Sequence, residues 1–249
     1  MRGVYFARRV AKELLRDVLS YIFCLGFPIF MLLLLFVCIN NALPAEARQS
    51  VFALNSITPG IGMFGLTFIM LFTALQVSRD RESSLLQRLF TSPMTAADFL
   101  LGYTAPILVL AAAQALICFA AGCVIGLFTG EHLSVLGCLR SIASLLPGAL
   151  LFIALGLLVG SVMNDKAAPG VTSALITGAS LLGGVWMPLE QMPGLLRVCR
   201  WLPFYPCVRA ARSAMAGAGS VWGDEALVLA YAAVFAVLAV LAFRKKMKQ

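Results

Sequence analysis

The stretch that decides the fold of this chain is residues 103–128, which reads YTAPILVLAAAQALICFAAGCVIGLF. Over these 26 residues there is no Asp, Glu, Lys, Arg or His. An α-helix rises 1.5 Å per residue, so about 20 apolar residues cross a hydrocarbon core about 30 Å thick. Residues 103–128 therefore predict a membrane-spanning helix.

Five more stretches of the same kind lie on either side of this one. They also lack ionisable side chains, and each is long enough, or nearly so, to cross a bilayer. The chain is 61% hydrophobic and only 12% charged, whereas soluble domains are about 45–50% apolar and about 25% charged. We therefore expect an all-α integral membrane fold, with residues 18–249 forming one domain of six transmembrane helices. The five other predicted spans are residues 18–39, 57–77, 142–163, 167–187 and 226–243.

The first 17 residues predict an amphipathic helix that lies in the membrane interface. Phe6, Val10 and Leu14 recur at i+4, and basic side chains fill another face, as in interfacial helices. The alternative is an ordinary basic flank. A cleaved signal peptide is disfavoured, because the apolar run after this segment is about 22 residues, beyond the 7–15 of a signal core.

The basic residues predict the orientation of the spans. With six spans, the side that bears both termini carries thirteen Lys and Arg residues, and the opposite side carries six. The excess of Lys and Arg marks the cytoplasmic side, so both termini are expected in the cytoplasm. The net charge of +8 is then explained by topology and anionic lipid rather than by nucleic acid.

Two connecting segments are longer than is needed to join neighbouring spans. Residues 78–102 form a predicted cytoplasmic loop with helical character. Residues 188–225 form a predicted external loop with four prolines. Short apolar pieces broken by Pro and flanked by Trp predict re-entrant or interfacial helices. Cys199 and Cys207 both fall in this loop, and their spacing does not decide between a disulfide and two free thiols.

The motifs that are missing exclude most enzyme classes. The sequence has no GxxxxGK[ST], no HExxH, a single histidine and no carboxylate pair within a span. We therefore expect no catalytic residue, no bound cofactor and no metal site in this chain. Ion-coupled carriers keep ionisable residues in their spans, so transport here would need an external energy source and an apolar or amphipathic cargo.

Two helix faces mix hydroxyl groups with flexible methionines or small residues. Such faces line permissive cavities, but they also serve helix packing. The second span carries Met63, Thr67 and Met70, and the fifth carries Ser173, Thr177 and Ser180. GxxxG pairs, which allow close helix approach, occur at Gly122 and Gly126 and at Gly156 and Gly160.

The loop at 78–102 carries a family resemblance. Residues 82–89 read ESSLLQRL and are followed by Thr91-Ser92-Pro93, Asp98 and Gly102. This pattern resembles the first cytoplasmic loop of ABC type-2 exporter permeases. Residues 183–193, GGVWMPLEQMP, resemble the end of that family's fifth span and its external re-entrant segment. The departures are local: Ser84-Leu85 replaces Gly-Thr, Gln87 replaces an acidic residue and Tyr103 replaces Lys.

The resemblance implies a drug- or antibiotic-efflux-like transporter of the bacterial cytoplasmic membrane. Two permease subunits, identical or different, would pair with two ATPase subunits that bind ATP and Mg²⁺, surrounded by lipid. The pathway would lie at the permease dimer interface, between the polar faces of the second and fifth spans. The ATPase-coupling residues implied are Arg79, Arg81, Glu82, Leu85, Leu86, Arg88 and Leu89.

Two other functions are compatible with the sequence. A permease-like subunit can serve a sensor or an assembly complex without transport, as a membrane scaffold. A secondary transporter is the other alternative, and the lack of ionisable residues in the spans counts against it. The sequence does not name the cargo, and drugs, peptide antibiotics, lipids and glycans are all handled by relatives.

Overall fold

The computed structural model describes residues 2–42, 53–83, 96–187, 189–217, 219 and 221–246, and within these it contains helices and no strand. The chain begins with α1 (Arg2–Leu14), α2 (Val18–Tyr21), a π-helical segment (Ile22–Gly26) and α3 (Phe27–Ala42). Next come α4 (Leu54–Glu82), α5 (Ala96–Thr129), α6 (Val135–Val162) and α7 (Ala168–Leu182). A 3₁₀ turn (Leu189–Gln191), α8 (Pro193–Cys199), α9 (Phe204–Ala216) and α10 (Trp222–Lys246) complete the described elements.

Four of these helices, α4, α5, α6 and α10, are long and apolar enough to cross a membrane. They contain four of the six predicted spans. Proline lies inside three of them, at Pro59, Pro106 and Pro147, which is tolerated where neighbouring helices satisfy the freed carbonyl groups. Large apolar side chains such as Val109 and Leu116 on α5 and Val237 and Leu241 on α10 are exposed. An apolar outer surface of this kind fits lipid as the solvent.

The helices at the first and fifth predicted spans are shorter or irregular. Residues 18–42 are helical throughout, but the π-helical segment interrupts them just before Pro28, which has no N–H to donate to the carbonyl of Cys24. Helix α7 ends at Leu182 rather than near residue 187 because Gly184 takes a left-handed φ of +69°. Its 15 residues measure about 22 Å.

The centre of the bundle is the seam between α4 and α6. Most of α4 is buried, and Gly156 and Gly160 of α6 lie directly against its backbone. A Cβ added at Gly156 would lie 2.6 Å from the carbonyl oxygen of Met70, and one at Gly160 would lie 2.6 Å from that of Ala74. This GxxxG pair is therefore a contact between two helices of the same chain.

Helix α1 packs on protein with the apolar face that the sequence predicted for the membrane interface. Phe6, Val10 and Leu14 are all buried. The ring of Phe6 meets Tyr103 of α5 edge to face at 4.9 Å between centroids, while Val4 and Tyr5 stay exposed. The amphipathic helix is present, but α5 covers the stripe that was expected to face lipid.

The predicted external loop contains the two short helices α8 and α9, and α9 is built into the bundle. Eight of its residues are buried. Ser141 of α6 donates to the carbonyl oxygen of Ala211 at 2.8 Å, and Arg212 Nε donates to that of Ser56 at 3.1 Å. The helix ends at Gly217, whose φ of 66° is left-handed. Residues 204–216 are therefore part of the packed structure.

The cysteines of this region are free thiols in separate surroundings. Cys199 packs with Leu189 and Tyr205, whereas Cys207 lies against Gly148 of α6. Both are buried and unbonded. A different pair is close: the Sγ atoms of Cys123 and Cys138 are 3.8 Å apart, between α5 and α6.

Candidate functional site

The end of the bundle where α4 terminates contains a buried carboxylate, Asp80, which is only 5% exposed. We call this end of the bundle the Asp80 end. The Tyr103 hydroxyl of α5 donates to Asp80 Oδ2. Arg9 Nη2 of α1 lies 3.2 Å from Asp80 Oδ1. One carboxylate thus joins three helices, α1, α4 and α5.

A second carboxylate extends this arrangement along α1. Glu13 Oε1 accepts from Arg9 Nη2 at 2.6 Å, and Glu13 Oε2 accepts from Gln76 Nε2 of α4 at 2.8 Å. We call Arg9, Glu13, Gln76, Asp80 and Tyr103 the Asp80 cluster. Because each carboxylate bridges two helices, the cluster fixes both the position and the rotation of α1 on α4.

Electrostatics explains why these side chains occur together. A carboxylate taken out of water loses several kcal/mol of solvation, so it needs charged and hydrogen-bonding partners. Burial opposes the charge on Arg9, but the neighbouring carboxylates Asp80 and Glu13 outweigh it and raise the pKa of Arg9. The guanidinium therefore stays charged and supplies the counter-ion of the cluster.

The last turn of α4 also binds the end of α6. Arg81 Nη1 donates to the carbonyl oxygen of Ser161 at 2.6 Å, and Arg81 Nη2 donates to that of Met163. The final carbonyl groups of a helix lack partners within the helix and attract cations. Arg81 therefore caps α6 from a neighbouring helix.

The turn between α6 and α7 is held by three side chains of α4. Glu82 Oε1 accepts from the backbone N–H of Asp165 at 2.9 Å. Arg79 Nε lies 3.5 Å from Asp165 Oδ1, and Ser78 Oγ donates to the same oxygen at 3.3 Å. These contacts are partly exposed, so each contributes little alone, but together with Arg81 they fasten α4 to the start of α7.

The predicted coupling residues divide into two groups. Arg79, Arg81 and Glu82 lie at the Asp80 end, where they bind the α6–α7 connection of the same chain. Leu85, Leu86, Arg88 and Leu89 lie outside the described residues. The segment that contains them directly follows the last turns of α4, which the contacts described above hold in place.

The predicted pathway residues also divide into two groups. The side chains of Met63, Thr67 and Met70 are fully buried inside the chain; that of Met63 lies beside Gly183, and the backbone of Met70 lies against Gly156 of α6. On α7, Ser173 and Thr177 are exposed, whereas Ser180 is buried. Of the two predicted faces, only that of α7 is therefore exposed in part.

Sequence reasoning did not single out the Asp80 cluster, although a signal was present. A negative charge in the last turns of a helix opposes the helix dipole, so Asp80 at the end of a 29-residue helix predicts a positive partner. The sequence did not indicate that the partner is Arg9, because 71 residues separate the two. Tyr103 counted only as a departure from the family pattern.

Comparison with known families now decides the identity of the chain. A family model described as ABC-2 family transporter protein matches residues 48–242, more than three quarters of the chain. The chain belongs to this family. The match includes α4 to α9, the segment after α4 and most of α10, and with the four long apolar helices it makes the chain a multi-pass membrane protein.

Relatives of this ABC-2 chain carry the names of permeases. One is the transport permease YvfS of Bacillus subtilis (strain 168), 34% identical over 103 residues, which are 41% of this chain and 42% of the relative. Another is the multidrug ABC transporter permease YbhR of Escherichia coli (strain K12), 30% identical over 145 residues, which are 57% of this chain and 38% of the relative. The similarity thus spans about two fifths of each relative's length.

Within the described residues, no group of three or more His, Cys, Asp or Glu side chains is placed to bind a metal ion. The polar side chains described above instead hold the helices of this ABC-2 chain together. At the Asp80 end of the bundle, ion pairs and hydrogen bonds link α1, α4, α5 and the α6–α7 connection.

Proposed function

We propose that this protein is the membrane-spanning permease subunit of an ATP-driven exporter. The observation that best supports this proposal is the ABC-2 family match over residues 48–242, which includes the segment that follows α4. Two such subunits would work with two ATPase subunits that bind ATP and Mg²⁺. The cargo would be apolar or amphipathic, because residues 18–39 and the central parts of the four long helices carry no Asp, Glu, Lys, Arg or His.

In this proposal the six spans are the residues 18–42, α4, α5, α6, α7 and α10. The short helices α8 and α9 form an external re-entrant element, and the Asp80 end faces the cytoplasm. Two observations support this arrangement. Helix α1 and the last turns of α10 lie at the same end of the bundle, where Phe99 stacks on Phe243 at 3.8 Å between ring centroids, and most Lys and Arg residues fall at that end in sequence.

The proposed motor contact is the segment after α4. Leu85, Leu86 and Leu89 would enter a cleft of the ATPase while Arg88 pairs at its rim, which is the usual anatomy of a specific interface. A force on that segment would reach α1 and α5 through the Asp80 cluster and α7 through Arg81 and Glu82. Movement of α7 would change the face that carries Ser173 and Thr177, the part of the proposed pathway that is open in this structure.

The test is co-purification of the tagged protein from membranes of its native host, followed by mass spectrometry and an ATP hydrolysis assay. We expect an ATPase subunit in stoichiometric amount. We also expect the L85D/L86D variant to insert normally but to lose ATPase binding at least tenfold. The matched control is Q87D, which adds a negative charge to the same segment and leaves both leucines in place.

Each alternative predicts a different result. If no ATPase is retained in mild detergent and L85D/L86D still supports export, a secondary transporter becomes the better assignment. If an ATPase is retained but no compound changes its turnover in membranes, the protein is a subunit of a non-transport scaffold. A loss of ATPase binding in Q87D equal to that in L85D/L86D would remove the leucines from the contact.

A further inference from the structure

A cavity of about 690 Å³ opens at the end of the bundle opposite the Asp80 end. It lies between α8 and the turn after it, the middle of α9 and the first turns of α10. Three arginines and one aspartate supply its charges: Arg197, Arg200, Arg209 and Asp224. Pro193, Leu196, Trp201 and Leu227 supply apolar walls. The cavity therefore has a cationic lining and an apolar rim.

Among the described residues that line the cavity, Asp224 is the one carboxylate, and it is already occupied. Arg209 Nε donates to Asp224 Oδ2 at 2.7 Å, and Arg209 Nη2 pairs with Asp224 Oδ1, so both oxygens bind one guanidinium. The hydrogen bonds to Asp224 raise the pKa of Arg209 against the effect of burial. This bidentate pair is neutral overall and fixes the wall between α9 and α10.

The remaining charge is therefore that of Arg197 and Arg200. Both are exposed, and among the described residues neither forms an ion pair. Arg197 lies in the last turn of α8 and Arg200 is the residue that caps its end, so the two charges are three residues apart and repel each other. The nearby carboxylate Glu190 forms no ion pair with either arginine within the described residues, and it accepts a hydrogen bond from the Tyr205 hydroxyl at 3.2 Å.

The surroundings indicate an amphipathic ligand. Trp201 is 73% exposed and Trp222 is 76% exposed, and tryptophan concentrates at the level of lipid headgroups. Val198 and Met192 beside the cavity are exposed as well. A soluble anion would use the guanidinium groups but gain nothing from this apolar rim, whereas a lipid uses both.

We propose that this cavity binds the phosphodiester headgroup of an anionic phospholipid. Arg197 and Arg200 bind the phosphate oxygens, Trp201 lies beside the glycerol region and Leu196 and Leu227 contact the first carbons of the acyl chains. The bound lipid joins α8 to α10, so it stabilises the position of the short helices. The inference does not depend on ATP coupling and stands whether or not the chain exports a cargo.

The experiment uses Trp201 as the reporter in the full-length chain. A variant with W186F and W222F retains Trp201 alone and is reconstituted in phosphatidylcholine vesicles. A small fraction of lipid is replaced by phosphatidylglycerol or by phosphatidylcholine, each brominated near the top of one acyl chain. Each arginine near a membrane surface contributes about 1 kcal/mol, or about fivefold, to anionic lipid binding. We therefore expect phosphatidylglycerol to be enriched roughly 25-fold at Trp201.

Two variants distinguish binding in this cavity from a general attraction of anionic lipid to the basic protein. In the R197Q/R200Q variant the excess quenching by brominated phosphatidylglycerol should disappear. In R140Q, which removes an exposed arginine outside the cavity, it should remain. Because W186F removes a partly buried ring, native mass spectrometry of the chain with its native tryptophans provides a second count of bound phosphatidylglycerol with and without R197Q/R200Q.

Three results would overturn the proposal. Equal quenching by the two brominated lipids would show that the cavity has no headgroup preference. Excess quenching that survives R197Q/R200Q would place the anionic lipid elsewhere. Inorganic phosphate alone is also added to the W186F/W222F chain in phosphatidylcholine vesicles. If it changes Trp201 fluorescence there, but not when R197Q/R200Q is also present, then the ligand is a soluble phosphate rather than a lipid.

Discussion

Individual residues at the Asp80 end matter because each has several partners. The Tyr103 ring packs between Phe6 and Phe99 at 4.9 Å from each centroid, and its hydroxyl binds Asp80. An apolar sandwich thus positions the donor for a buried carboxylate. Such an arrangement is sensitive to substitution, since removing one member of a buried polar network leaves the others unsatisfied.

The first prediction concerns the pair Arg9 and Asp80. R9Q and D80N should each lower the free energy of unfolding by about 2 kcal/mol, because R9Q leaves the buried Asp80 carboxylate without its counter-ion and D80N leaves Glu13 alone to balance Arg9. For a chain of this size that lowers the Tm by roughly 4–8 °C. The measurement is the thermal unfolding of detergent-purified protein.

The control for this prediction is the neighbouring residue Arg8, which is exposed. R8Q should leave the Tm unchanged. The double variant R9Q/D80N should cost less than the two single variants combined, because it removes both charges together. Strict additivity would mean that the ion pair contributes nothing to stability.

At the level of elements, close contact between helices depends on residues without side chains. Gly160 allows α6 to approach the carbonyl of Ala74, and Gly156 does the same at Met70. In a membrane the hydrophobic effect does not drive helices together, so packing of this kind contributes more of the stability. The same seam buries Met70, which explains why this part of the α4 face is closed.

The second prediction tests this seam. In G160A the new methyl group would lie 2.6 Å from the carbonyl oxygen of Ala74 and 2.8 Å from Val77 Cβ, so α4 and α6 must separate. We expect a loss of about 1–3 kcal/mol, measured by thermal unfolding in detergent. The matched control is G178A on α7, where a Cβ has nothing within 4 Å. A similar loss in both variants would refute a role for close approach.

At the scale of the whole molecule, the ion pairs among the described residues lie at the two ends of an apolar bundle. The Asp80 end contains α1, the end of α4 and the α6–α7 connection. The opposite end contains α8 and α9, with Glu131 accepting from the first N–H of α4 at 3.3 Å. This distribution follows from the solvent, because a bilayer satisfies polar groups only near its surfaces.

The third prediction tests the orientation of this bundle in cells. The reporters are H132C in the connection between α5 and α6 and K166C in the connection between α6 and α7, two exposed positions at opposite ends. Each is placed in a chain without its seven native cysteines. A membrane-impermeant maleimide should label H132C in intact cells and K166C only after permeabilisation. The reverse pattern would invert the proposed topology.

The sequence by itself determined that lipid surrounds this protein, and it determined much of the secondary structure. Long uncharged stretches have no stable place except lipid, so the helices α4, α5, α6 and α10 follow from composition and length. The resemblance carried by residues 82–102 and 183–193 was confirmed by the family match. These conclusions rest on local properties, which a linear sequence states directly.

Only the tertiary structure decided which residues meet. It placed Arg9 on Asp80 and Arg81 on the end of α6, it covered Phe6 and Val10 with α5, and it ended α7 at Leu182. It also left Cys199 and Cys207 as separate thiols. The physical reason is that all these outcomes depend on distances between segments far apart in the chain, where packing chooses among many partners that the sequence pattern allows equally.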